Sequence, residues 1–148
     1  MKIANNDIKL ALDGAHALSA EDLPFSTAML LYDAIEILAP KAGAVERERV
    51  KLVQKHGTET PAGHEVKPGT PEWDAFQRDW IELVSTEQEV EGLPAISTAD
   101  LGDLSKLKVK AQQMGALRRI GVLVLPPPPP APGTRQARRK KAREAAKS

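Results

Sequence analysis

Residues 26–57 read STAMLLYDAIEILAPKAGAVERERVKLVQKHG, and the spacing of the apolar side chains within them decides the fold. Leu31, Ala34, Ile35, Leu38, Ala42, Val45, Leu52 and Val53 recur at intervals of three and four, which places them on one face of a 3.6-residue helix. That face is expected to be buried. The second half, from Glu46 to Lys55, is charged on its other sides, with acid and base three apart as in Glu48 and Lys51, so most of its circumference meets water. Unbroken, the stretch makes a rod of about 48 Å, longer than a domain of this size is wide, so it projects or bends. Pro40 has no amide hydrogen and its ring opposes the Glu36 carbonyl, at a cost of ~3 kcal/mol in a helix interior. A kink or break is therefore expected at Ile37 to Ala39, giving one bent rod or two packed segments, 26–39 and 41–56. Gly43 loosens the same region, and a corner that folds the second segment back is a simpler reading of the pair than a functional hinge.

Before this stretch, Lys2 to Ala4 suits a short edge strand, and Asn5, Asn6 and Asp7 offer oxygens to cap a helix over Asp7 to Leu18. Ile8, Ala11, Leu12, Ala15 and Leu18 form its apolar stripe, and Gly14 within it points to close packing, since it weakens the helix by ~1 kcal/mol relative to alanine. Leu23-Pro24 makes the turn, and Ser26 or Thr27 can cap the long helix.

After it, Gly57 to Gly69 reads as an exposed loop or loose hairpin. His56 and His64 lie there with Glu59 and Glu65, but their spacing matches no metal-ligand pattern, and solvated residues are the better reading. Thr70-Pro71-Glu72 is a strong helix start, with a hydroxyl cap, proline in the first turn and an acid beside it. Trp73, Phe76, Trp80, Leu83 and Val84 share one face of that third helix. In a chain with only 2 Trp and 2 Phe, this stripe is expected to be the main filling of the core, facing the long helix. Glu87 to Glu91 and Ala95-Ile96 read as short strand or extended chain. Ser97 to Asp100 resembles a capping box opening a helical turn, and Lys106 to Lys110 alternates like an edge strand guarded by lysines. A last helix is expected over Ala111 to Ile120, with Met114, Leu117 and Ile120 inward and Gly121 ending it.

The fold class is therefore mainly α: a small helical domain over 1–125 on a long, Pro-kinked central helix, with minor short β-strands. A polyproline linker follows over 126–133, and a disordered basic tail over 134–148. The formal net charge of +1 hides a division. Residues 1–125 hold 14 Lys and Arg against 19 Asp and Glu, whereas residues 126–148 hold 7 against 1. The absence of cysteine excludes disulfides and thiolate metal sites. No apolar run suits a signal sequence or reaches the ~18 residues of a membrane span, so no membrane partner is expected.

The order and character of these segments resemble a family of small proteins of unassigned function, encoded by tailed bacteriophages and prophages among structural and assembly genes. The likeness covers roughly the first 105 residues. It rests on Met1-Lys2-Ile3, Leu23-Pro24 before the long helix, Val45 to Arg49 leading to Val50 through Gly57, Asp74-Ala75-Phe76, the acidic run Glu87 to Glu91, and Leu101. Pro40 and Gly43, and the whole tail, depart from the pattern. The family carries no catalytic residues, and this sequence holds no phosphate-binding glycine loop, GxSxG, HExxH or cysteine nucleophile.

The resemblance implies a non-enzymatic, cofactor-free phage accessory protein that binds other structural or assembly proteins during virion or tail assembly. Its place would be the host cytoplasm or the virion, alone or as a homo-oligomer. The alternative is a small nucleic-acid-binding protein. Arg135, Arg138, Arg139, Lys140, Lys141 and Arg143 form its candidate polyanion-binding residues, and without an aromatic among them contact would be electrostatic and sequence-indifferent. The proline run is a stiff spacer before them, and a PxxP ligand is its sharper but less economical reading.

Overall fold

The computed structural model describes residues 1–126. In chain order its elements are β1 (Lys2–Ala4), α1 (Asn5–Ser19), α2 (Phe25–His56), β2 (Thr58–Thr60), β3 (Gly63–Glu65), α3 (Pro71–Ser85), β4 (Glu87–Glu89), β5 (Ile96–Ser97), α4 (Ala111–Arg119) and β6 (Leu123–Val124). Short 3-10 turns lie at Thr98–Leu101 and Leu104–Lys106.

Of the two arrangements expected at Pro40, the single rod is the one found: α2 runs through Pro40 as one helix of 32 residues. The reason is position. Pro40 is exposed and lies on the side of the helix away from the buried Thr27, Leu31, Ala34, Leu38 and Val45. The Glu36 carbonyl deprived of its partner thus faces water, and packing on the opposite side holds the helix together. The helix also starts ahead of its expected hydroxyl caps, at Phe25, with Pro24 at the N-cap and no side-chain cap.

Two shorter helices share this spine. α1 packs antiparallel along its first half and α3 antiparallel along its second, so that the end of α3 meets the start of α1. Asn5 sits at that junction, 4% exposed. It does not cap α1 as expected. Its amide nitrogen donates to the Leu83 carbonyl at 2.8 Å, its oxygen accepts from Gln88 Nε2 at 2.7 Å, and its backbone N–H reaches the Thr86 carbonyl at 2.9 Å. Gln88 also donates to the Lys41 carbonyl at 3.3 Å, which ties the junction to the middle of α2.

The core belongs to the first half of the spine. Ile8, Ala11, Ala15 and Leu18 of α1 meet Leu31, Ala34 and Leu38 of α2, and α4 closes the other side with Ala116, Leu117 and Ile120. α4 comes close because Gly14 has no side chain: a Cβ there would lie 3.0 Å from Gln113 Cβ and Leu117 Cδ1. Gly121, at φ +82°, ends that helix, and Met114 is only half-buried. Three two-stranded ladders fasten the rest: β1 antiparallel to β4 with Ile3 opposite Gln88, β2 antiparallel to β3, and β5 parallel to β6 with Ile96 opposite Leu123. Lys106 to Lys110 is not the edge strand that its alternation suggested. Leu104–Lys106 is a 3-10 turn and the following residues are irregular, with the Lys108 N–H donating to Glu21 at 3.0 Å.

The aromatic stripe of α3 is likewise not the main core. No residue of α3 is buried, and Trp73, Phe76, Trp80, Leu83 and Val84 are all half-buried. Their partner is the outer half of α2, where only Val45 is buried, and a pair of helices has no third layer to cover its seam. The rings fill that seam as a ladder, with centroids 5.9 Å apart between Trp73 and Phe76 and 6.3 Å between Phe76 and Trp80. Thr70 caps α3 as expected, accepting the Trp73 N–H at 3.2 Å. The basic tail lies outside the described residues.

Candidate docking surface

A helix that buries Thr27, Leu31, Ala34, Leu38 and Val45 must present to the outside whatever lies about half a turn away. In the first half of α2 those positions are Phe25, Met29, Tyr32 and Glu36. Phe25 is 81% exposed, Met29 43% and Tyr32 48%, at the i, i+4, i+7 spacing of a continuous ridge. The other exposed large apolar side chains on helices, Val50 and Ile81, stand singly. Acids frame this ridge. Asp22, Asp33 and Glu36 are exposed, no Lys, Arg or His occurs from residue 17 to 40, and none of the three acids forms an ion pair among the described residues. A rigid helix thus carries two aromatics and a methionine into solvent inside an acidic frame, the anchor types that dominate protein–protein contacts. Sequence reading passed over these residues because it followed the buried stripe. The second, outward stripe at the same spacing was the signal.

A cleft of about 310 Å³ opens where α1, α2 and α3 meet. Leu12, Ala42, Gly43, Val45 and Trp80 line it together with Lys9, Asp13, Glu46 and Arg49. The charges cancel, and Arg49 is already held by Glu46 at 2.6 Å, a hydrogen bond that keeps the Glu46 carboxyl below its ordinary pKa.

The histidines part company. His56, with its side chain 12% exposed, shares a 2.6 Å hydrogen bond with Asp79 of α3 and meets Phe76 edge-on at 6.4 Å. This hydrogen bond, with Lys55 at 3.6 Å adding to it, holds the Asp79 carboxyl below its ordinary value of 3.8. The contact ties the far end of α2 to α3. His64 is exposed on β3 opposite Glu59. Among the described residues no three His, Asp or Glu side chains are placed to hold a metal ion, and no helix is long and apolar enough to cross a membrane.

Arg135, Arg138, Arg139, Lys140, Lys141 and Arg143, the candidate polyanion-binding residues, lie outside the described residues. Comparison of the chain with family models, with curated proteins and with solved structures yields no match.

Proposed function

We propose that this chain is a non-enzymatic accessory protein of a phage virion or tail that works by binding other proteins of the assembly through the outward face of α2. The observation that carries the reading is the exposed ridge of Phe25, Met29 and Tyr32 on a helix whose other face is locked into the core. An isolated exposed apolar residue needs no explanation, but three on one ridge of a rigid element do. The phage setting comes from the resemblance of the first 105 residues.

The test is binding of the purified full chain to individually purified structural and assembly proteins encoded beside it, measured by calorimetry. Replacing Phe25→Ser and Tyr32→Ser together should weaken the complex at least ~30-fold, the effect of losing a single aromatic anchor of about 2 kcal/mol. Unchanged affinity in the double variant, or no binding by any of these proteins, refutes the reading.

The charge division supports a second reading, in which residues 126–148, with 7 basic residues against 1 acidic, contact nucleic acid. Retention on a polyanion column should then fall steeply with salt and disappear when Arg138, Arg139, Lys140 and Lys141 are replaced by glutamate.

A further inference from the structure

We infer that a second copy of this chain pairs with the first along α2, antiparallel and about a two-fold axis, so that the acidic half of each helix lies on the basic half of the other. The inference rests on the reading of the ridge as a docking surface, and names what covers it before another protein binds.

The face that carries Phe25, Met29, Tyr32 and Glu36 does not end with them. The same spacing of three and four takes it on through Pro40, Gly43, Arg47, Val50 and Gln54, all exposed except the half-buried Gly43. The face stays open because Leu31, Ala34, Leu38 and Val45, which are buried in the fold, lie on the opposite side of the helix. Charge divides this one helix at Pro40. Residues 17–40 hold 4 acids and no base, whereas residues 41–55 hold 5 bases against 2 acids. On the open face and its margin the division is Asp33 and Glu36 against Arg47 and Lys51. Among the described residues Asp33, Glu36 and Arg47 form no ion pair. A parallel pair of helices would stack each half on its like, acid on acid and base on base. An antiparallel pair brings opposite charges together.

The charges also choose the register. With the axis passing between Lys41 and Ala42, Glu36 lies opposite the partner's Arg47, and symmetry makes the contact twice. Asp33 comes within reach of the partner's Lys51, whose exposed pair with Glu48 at 2.9 Å is readily exchanged. Pro40 then faces the partner's Gly43, the smallest residue of the face, where the helices can approach closely: an added Cβ at Gly43 would meet only Arg47 Nη1, at 3.7 Å. Toward the ends, Met29 stands over the partner's Gln54 and Phe25 over the start of its β2–β3 hairpin. A groove of about 310 Å³ opens there, lined by Arg49, Val50, Val53, Gln54, Gly63 and His64, with the two valines as its apolar floor. A seam ~48 Å long and ~12 Å wide covers about 600 Å² per copy, or roughly 1,200 Å² in all, the lower end of a specific interface. A dimer in the micromolar range suits that area, weak enough for an assembly protein to displace the second copy from the ridge.

Sedimentation equilibrium of the full chain from ~1 to ~300 µM should show an equilibrium between monomer and dimer, weakened at ~1 M salt. Glu36→Arg and Arg47→Glu, each made alone, set like charges together twice and should weaken the dimer at least ~10-fold. Mixed one to one, the two variants should pair again with an affinity within ~3-fold of the unaltered chain, because each contact then joins a base to an acid. Both residues are exposed on a helix, and circular dichroism checks that each variant keeps its fold. A monomer across the whole range overturns the inference, as does a dimer indifferent to salt and to both reversals. Folded variants that fail to recover on mixing, or species that grow beyond the dimer, overturn it too. No other protein enters this experiment, so it can fail while the ridge still binds an assembly protein, and the binding test above can fail while the dimer stands.

Discussion

The same substitution, glycine to alanine inside a helix, should act with opposite sign at two places in this protein. At Gly43 in α2 an added Cβ meets only Arg47 Nη1, at 3.7 Å, so Gly43→Ala collects the helix-propensity gain of ~0.5–1 kcal/mol without a clash. At Gly14 in α1 the Cβ would lie 3.0 Å from Gln113 Cβ and Leu117 Cδ1, and 3.3 Å from the Gln113 carbonyl oxygen. Carbon contacts prefer ~3.5–4.0 Å, so α4 must retreat by roughly half an ångström or more. It cannot do so freely, because Ala116 and Leu117 are wholly buried and Ile120 is 3% exposed. Overpacking of this kind costs ~1–3 kcal/mol. After the propensity gain, Gly14→Ala should be destabilising by ~1 kcal/mol, leaving the two variants ~2 kcal/mol apart, or about 8 °C in melting midpoint. Urea unfolding followed by circular dichroism at equal protein concentration measures the difference. If Gly14→Ala is as stable as Gly43→Ala, the close approach of α1 and α4 does not depend on that glycine and the argument fails.

Emptying the wholly buried Leu117 site with Leu117→Ala should cost ~2–5 kcal/mol, whereas Trp80→Ala should cost only ~1–2 kcal/mol, because Trp80 keeps part of its surface in water. Equal losses in denaturant titrations would return the aromatic ladder to the core. Asn5→Ala removes two side-chain hydrogen bonds from a buried junction and should destabilise by ~1–3 kcal/mol, while the exposed neighbour Asn6→Ala stays within ~0.5 kcal/mol. A matching pair of melting curves would sink that assignment. Asp79 is held below its ordinary value of 3.8, so its contribution is complete above that value and is lost as pH falls through the lower, folded one. An acid titration of tryptophan fluorescence, which reports α3 alone, should therefore lose sensitivity in Asp79→Asn; an unaltered titration would show that the His56 contact does not stabilise the α2–α3 seam.

The helices were legible because each carries its own periodicity. α1, α3 and α4 lie within a residue or two of the segments read from spacing and punctuation, and the Thr70-Pro71 start of α3 is a local signal that the fold did not override. The failures are all matters of tertiary surroundings. Pro40 left one rod and two segments equally open, and it is packing on the opposite side of α2 that selects the single rod. The α3 aromatics form a well-marked stripe, but a stripe states only which residues point together, and the half-clad partner it meets is a property of the whole assembly. Lys106 to Lys110 alternates correctly for a strand but finds no strand beside it. Asn5 looked like a cap because its oxygen sits just ahead of an apolar stripe; Leu83 and Gln88, which claim it instead, lie about eighty residues away. The docking ridge was written plainly at positions 25, 29 and 32, yet an apolar spacing cannot say by itself whether it faces core or solvent.

Because one uninterrupted α2 serves both the clad and the unclad half, the protein has a stability gradient along its longest axis. The seam with α3 rests on half-buried rings and the His56 contact, while the other end packs its buried Leu31, Ala34 and Leu38 into the core with α1. Amide protection should accordingly decline along α2 from Leu31 toward His56, with the outer turns opening in excursions that leave the inner turns closed. Pro40, which removes one rung of the hydrogen-bond ladder near the midpoint, marks where such an excursion would most readily halt, making the outer half a terminal fray of considerable length on an otherwise cooperative body.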